Sequence, residues 1–206
     1  MKCKLGSGFS VEYVTAGYGL TYRGIEKACQ LHGLKTKVCR THDELLTSLK
    51  AIPSNSSQAI ITDGGLLRGF TALDNHAILL LCEKVDRVFR LFIIDSEANY
   101  YFHLNRDRKL LSEKIGIPEL EIYNSQVVCQ TQTEPVCYAF ALHGAKLFEK
   151  EECFLKELRA GSSKESGVYH IKKLPEYFCV DSNEISKQAV NYQSELIEFV
   201  KSQKIH

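Results

Sequence analysis

The chain has 206 residues, 44% hydrophobic and 25% charged, which suits one sizeable globular domain. Its 26 basic and 25 acidic residues leave a formal net charge of +1, too balanced for a general nucleic-acid binder, which draws its affinity from an excess of Lys and Arg on one face. No apolar run approaches the roughly 20 residues needed to span a bilayer, and the start from Met1 to Gly6 lacks the apolar core of a secretory signal.

From the N-terminus, Gly19 to Leu31 reads as a helix that Gly33 stops, and Thr36 to Cys39 as a short β-like run. Thr41 caps a second helix, Asp43 to Leu49, with Glu44 three residues after the cap as a capping box requires. Pro53 to Ser57 is a loop, Ala59 to Thr62 is a β-branched run, and Asp63-Gly64-Gly65 breaks it.

The next stretch is the most informative. His76 to Cys82 is a nearly continuous apolar run of strand length, Glu83 to Asp86 is a polar turn, and Val88 to Ile94 is a second such run. Two apolar strands with a short polar link form a hairpin buried on both faces. His76 opens the first strand and Asp95 closes the second, so the hairpin brings a histidine and an acid to the same end.

Beyond it, Arg106 to Lys114 reads as a basic helix ending before Gly116, and Leu120 to Tyr123 and Gln126 to Cys129 as strand segments. A polar loop, Gln130 to Pro135, leads directly into a helical pattern from Cys137 through Phe148. Arg159 to Gly167 reads as a flexible loop, and about Ser182 to Ser202 as a last amphipathic helix with Ile185, Ala189, Tyr192, Leu196 and Phe199 on one side.

The eight cysteines, at 3, 29, 39, 82, 129, 137, 153 and 179, include no C-x-x-C pair. Metal is therefore not expected, nor is a disulfide framework, and the pattern reads as reduced thiols in a reducing compartment. Cys137 differs from the others in its setting. It opens a helix, whose N-terminal dipole favours a thiolate. His76 can take its proton, and Asp95 can hold the imidazole in place. Glu97 is a weaker candidate for that acid. Gln130, or as second choice Gln132, is placed to donate to an oxyanion.

The order of histidine, acid at a strand end, glutamine and helix-opening cysteine resembles the clan CE cysteine enzymes. These include the ubiquitin-like-protein proteases and the YopJ family of acetyltransferases. Leu91 to Ser96 is similar to the Asp-Ser strand end of the proteases, and Gln130 stands seven positions before Cys137, where several of them place an oxyanion glutamine. The 19-position interval from His76 to Asp95, the segment Cys137 to Leu142 running on to Lys146-Leu147-Phe148, and Leu174-Pro175-Glu176-Tyr177-Phe178 resemble the YopJ family. The resemblance covers roughly residues 35 to 190. Four departures stand out: Tyr138 where both branches usually have Gly, Ala77 where the proteases often have Trp, Asp95 where YopJ-like enzymes usually have Glu, and Cys179-Val180-Asp181 where they tend toward Lys-His. A bulky Tyr138 would narrow the oxyanion site or reshape the acyl-binding side.

The resemblance implies an α/β fold with a papain-like core, a central mixed sheet flanked by helices and the nucleophile at a helix N-terminus. It implies one catalytic domain over 1–206, with a core at about 35–150 and a helical C-terminal part at about 150–206. On the YopJ side it implies a bacterial effector acting in the host cytoplasm, which takes acetyl from acetyl-CoA as a Cys137 thioester and passes it to Ser, Thr or Lys of a host signalling protein. Inositol hexakisphosphate would be its activator, with Arg106, Arg108, Lys109, Lys172 and Lys173 read either as a replacement basic pocket or as a solvated charged face, and 150–200 building the CoA cleft. On the protease side the substrate would be ubiquitin or a ubiquitin-like modifier. A third expectation is an inactive binding module of the same fold.

Overall fold

The hairpin that brings His76 and Asp95 together forms the centre of the sheet in a computed structural model of the chain. The structure describes residues 15–16, 19–67, 76–98, 104–129 and 136–202. Two short strands, β1 (Thr15–Ala16) and β2 (Gly19–Leu20), pair antiparallel by themselves. The main sheet has seven strands in the order β3-β4-β5-β6-β7-β9-β8. They are β3 (Lys37–Val38), β4 (Ser56–Asp63), β5 (Ala77–Val85), β6 (Val88–Ile94), β7 (Glu119–Ser125), β8 (Ser162–Glu165) and β9 (Val168–Ile171). β4, β5 and β6 are antiparallel neighbours, whereas β3 with β4, β6 with β7 and β7 with β9 are parallel. The mixed sheet expected from the resemblance is present.

Alternation along β5 assigns its two faces. Leu79 and Leu81, with Phe92 and Ile94 of β6, join one core cluster. Against that face pack α1 (Tyr22–Leu31), α5 (Cys137–Lys150), α6 (Phe154–Ala160) and α7 (Ser182–Ser202). Ile78, Leu80, Leu91 and Ile93 face the opposite cluster, which α2 (His42–Lys50), the short α3 (Gly64–Leu67) and α4 (Leu104–Ile115) help to close. Both faces are covered, which is why the two runs read as continuous apolar sequence.

Local chemistry sets the element ends. Thr41 Oγ1 accepts from the Glu44 amide at 3.1 Å, while the Glu44 carboxylate accepts from the Arg40 amide at 2.7 Å. Gly33 and Gly116, at φ of 66° and 72°, end α1 and α4 in the left-handed region that glycine reaches without strain.

Several boundaries differ from the sequence reading. The first helix begins at Tyr22, where Thr21 caps it, and Gly19–Leu20 is strand. Ser56 and Ser57 belong to β4 and Glu83 to Val85 to β5, so the hairpin turn is only Asp86-Arg87, with Asp86 at φ 52°. Asn124 and Ser125 continue β7, and Gln126 to Cys129 is not strand. The expected flexible loop at Arg159–Gly167 is the end of α6 and a hairpin, β8 turning through Ser166 and Gly167 into β9. Polar β8 is legible only once the sheet supplies an edge to pair with.

The C-terminal part does not pack apart from the rest. Ile185, Ala189, Tyr192, Leu196 and Val200 of α7 share one cluster with Ile25 and Ala28 of α1 and with Phe140 and Ala145 of α5.

Candidate active site

His76 stands immediately before β5 and Asp95 immediately after β6, and the register Leu79↔Ile94 makes those two ends adjacent. His76 Nε2 lies 2.7 Å from Asp95 Oδ1. The same carboxylate oxygen accepts the Glu97 amide at 2.9 Å, and the Ala98 amide donates to the Asp95 carbonyl at 3.2 Å, so a tight turn holds the acid in place. Asp95 is 1% exposed, and its Oδ2 meets no hydrogen-bond donor among the described residues. Glu97 is the poorer partner: its Oε1 is 3.8 Å from His76 Nδ1.

Cys137 is the first residue of α5, which packs against β5. The Ala77 amide points at its Sγ across 3.4 Å. Residue 77, next to the histidine, thus supplies a donor that steadies a thiolate. The residue before the helix, Val136, offers no side-chain cap, so no side chain occupies the helix's first amides from that position. His76 also hydrogen-bonds to Cys137. Burial opposes charging the imidazole, but its hydrogen bonds to Asp95 and Cys137 and the charges of both push it up to about 10. A protonated imidazole in this position can pair with a thiolate, the ion pair that thiol chemistry needs.

Two neighbours carry no motif in the sequence. Asp63 ends β4 directly opposite Ala77, is 1% exposed and accepts the Gly65 amide at 2.8 Å. The Tyr22 hydroxyl donates to its other oxygen at 3.5 Å. Burial, then the charges of Asp63 and Cys137, push the Tyr22 phenol up, which places it within electrostatic reach of the thiol. The one signal for Asp63 is that it closes an apolar strand, as Asp95 does.

Tyr138 points into the core. Its side chain is 3% exposed and its hydroxyl donates to the Ala189 carbonyl of α7 at 3.3 Å, so it ties two helices together. Ala77 is buried in the sheet.

Gln130 and Gln132 lie outside the described residues. Of the five basic residues, Arg106 lies in α4 and its side chain is outside the described set. Arg108 donates to the Gly167 carbonyl at 3.2 Å, and Lys172 donates to Gln126 Oε1 at 2.6 Å and pairs with Glu165 at 3.3 Å. Lys109 and Lys173 are exposed, and Lys173 borders a cavity of about 470 Å³ that also carries Glu157 and Glu176. Arg108 and Lys172 are thus engaged by a carbonyl, an amide oxygen and a carboxylate, while Lys109 and Lys173 face solvent.

Burial pushes Cys29 and Cys129 up to about 12 and Cys82 higher still, which keeps them protonated. None of the seven described cysteines forms a disulfide. Among the described residues no His, Cys, Asp and Glu cluster could hold a metal ion, and no helix is long and apolar enough to cross a membrane.

No protein-family model matches the sequence, and no curated protein matches it. Solved structures do resemble it. HopZ1a in complex with IP6 is 15% identical with a TM-score of 0.52, over 85% of this chain and 66% of HopZ1a. A deletion variant of AvrA with IP6 and CoA is 14% identical with a TM-score of 0.55, over 90% of this chain and 73% of AvrA. The chain spans just under two thirds of the length of HopZ1a. The fold is therefore YopJ-like, a central seven-stranded mixed sheet flanked by helices.

Proposed function

We propose that the chain is a YopJ-like acetyltransferase effector, with Cys137 as nucleophile, His76 as proton carrier and Asp95 as the group that orients it. The observation that carries this reading is the contact of His76 with both Asp95 and Cys137 at the N-terminus of α5, within a fold shared with HopZ1a and AvrA.

The Cys137 thiolate attacks the thioester carbonyl of acetyl-CoA. A bond from Sγ to the acyl carbon forms, the bond from that carbon to the CoA sulfur breaks, and the departing thiolate takes the proton from His76. The neutral imidazole then accepts the proton of a Ser or Thr hydroxyl or a Lys amine as it attacks the Cys137 thioester, and the thiolate returns. Asp95 holds Nε2 throughout, leaving Nδ1 for the exchange with sulfur. The amides of the first turn of α5 favour the negative oxygen of each tetrahedral intermediate.

The acceptor we propose is a host protein met in the host cytoplasm. The fold shared with HopZ1a and AvrA supports acyl transfer over cleavage of a ubiquitin-like modifier, and the contact of His76 with both Asp95 and Cys137 supports an enzyme over an inactive binding module. The test incubates the chain and Cys137→Ala with labelled acetyl-CoA and a host-cell protein extract, with and without inositol hexakisphosphate. A parallel arm uses electrophile-tipped ubiquitin and its relatives. Label passing to protein only with Cys137 supports the proposal. A ubiquitin-like adduct on Cys137 without acetyl transfer would establish the protease instead.

A further inference from the structure

A small closed recess borders Cys137 on its inner side. Its walls are the side chains of Ala77, Leu79, Ile94, Phe140, Ala141 and Phe178, with Ser96 completing the lining. All six are apolar, and each is at most 5% exposed. The recess offers about 10 Å³ on a measure by which a single water fills about that much. The wall atoms of such a mostly apolar recess lack partners on one side, so an apolar group that enters gains contacts.

The walls cannot easily retreat. A Cβ on Gly144 would sit 2.6 Å from Leu79 Cδ2 and 2.9 Å from Phe178 Cε2, so glycine lets α5 press directly on two of them. Packing this close transmits any enlargement of the recess to the sheet and to the 3-10 turn Glu176–Phe178.

We propose that this recess receives the methyl group of the acetyl thioester and sets the length of the acyl group that Cys137 accepts. The inference rests on the acyl-transfer reading above. In an acetyl thioester only the carbonyl carbon separates the methyl from Sγ, and Sγ borders the recess. With the carbonyl oxygen turned toward the start of α5, the methyl meets a mostly apolar recess that it fills completely, with small shifts of the walls. Each further methylene must push a wall aside. The bonds made and broken are unchanged by chain length, so discrimination comes from packing alone, and one methylene in such a pocket is worth roughly 10–200-fold.

The experiment measures initial rates of Cys137 acylation by intact-protein mass spectrometry, using the full chain with acetyl-, propionyl-, butyryl- and hexanoyl-CoA. The expected result is acetyl fastest and butyryl slower by at least about 10-fold. Phe178→Leu, and independently Phe140→Leu on a different wall, should raise the butyryl-to-acetyl ratio whatever they do to the absolute rate. Equal rates for butyryl and acetyl in the wild type would overturn the inference and leave the recess a packing void, with the acyl-transfer reading intact. No adduct from any acyl-CoA would remove the acyl-transfer reading itself, and the inference with it.

Discussion

The amide of Ala77 lies 3.4 Å from Cys137 Sγ, so the strand that begins beside His76 also supplies a donor to Cys137. The relative placement of His76 and Cys137 is therefore fixed by backbone, through the pairing of β5 with its neighbours and the docking of α5 on that strand. Few flexible torsions lie between the two reacting groups, which is the preorganisation that thiol catalysis requires.

Asp95→Asn keeps the shape of the buried side chain but removes its charge and permits the wrong imidazole tautomer. Acylation of Cys137 should fall roughly 10²–10⁴-fold. Glu97→Gln should change it little, because Glu97 Oε1 is 3.8 Å from the ring. Steady-state rates of the two variants, measured side by side, check which carboxylate serves the histidine.

His76 titrates at about 10 in the folded chain against its ordinary 6.5. The folded state thus holds this proton more tightly than the unfolded one. The stabilisation is fully present below the ordinary value and is lost as pH rises through about 10. Histidine ring shifts followed by NMR against pH should show the raised midpoint. Asp95→Asn and Cys137→Ala should each lower it, since each removes a hydrogen bond and a charge that raise it. A midpoint near the ordinary value in the wild type would exclude the ion pair.

Tyr138→Phe removes the hydroxyl that meets the Ala189 carbonyl at 3.3 Å. A loss of about 0.5–1.5 kcal/mol in denaturant unfolding is expected, with the acylation rate retained. Tyr138→Gly should cost about 3–5 kcal/mol, because it empties a buried aromatic site between α5 and α7. A slowed reaction in Tyr138→Phe at unchanged stability would instead assign the hydroxyl to the site.

Gly144→Ala gains about 1 kcal/mol of helix propensity but forces a methyl to 2.6 Å from Leu79 Cδ2. Overpacking of that kind costs about 1–3 kcal/mol, so a net loss of about 1 kcal/mol is expected in thermal or denaturant unfolding. The loss should come with a reduced rate even for acetyl-CoA, because the walls of the recess are the groups displaced.

The sequence made the central hairpin legible because two apolar runs joined by a short polar link leave little freedom in register, and register alone brings His76 to Asp95. Cys137 was legible as a helix start because a polar, proline-bearing loop precedes a helical pattern. The last helix was legible from one apolar stripe along its length. Elements that depend on the rest of the sheet were not. Ser162 to Glu165 is polar and reads as a loop, but it pairs with β9 at the sheet edge. Asn124 and Ser125, at 6% and 1% exposed, are polar residues that continue β7 where Tyr169 to Ile171 of β9 lie beside it. Tyr22 and Asp63 lie 41 positions apart and meet only through the packing of α1 on the sheet, so no spacing announces them.

The most direct measurement is intact-protein mass spectrometry of the wild type and Cys137→Ala, quenched at short times after mixing with acetyl-CoA. The expected result is a single acetyl mass on the wild type, released by neutral hydroxylamine as a thioester is, and no such mass on the variant. An acetyl mass that resists hydroxylamine, or that appears equally on Cys137→Ala, would contradict Cys137 as the acyl-accepting nucleophile.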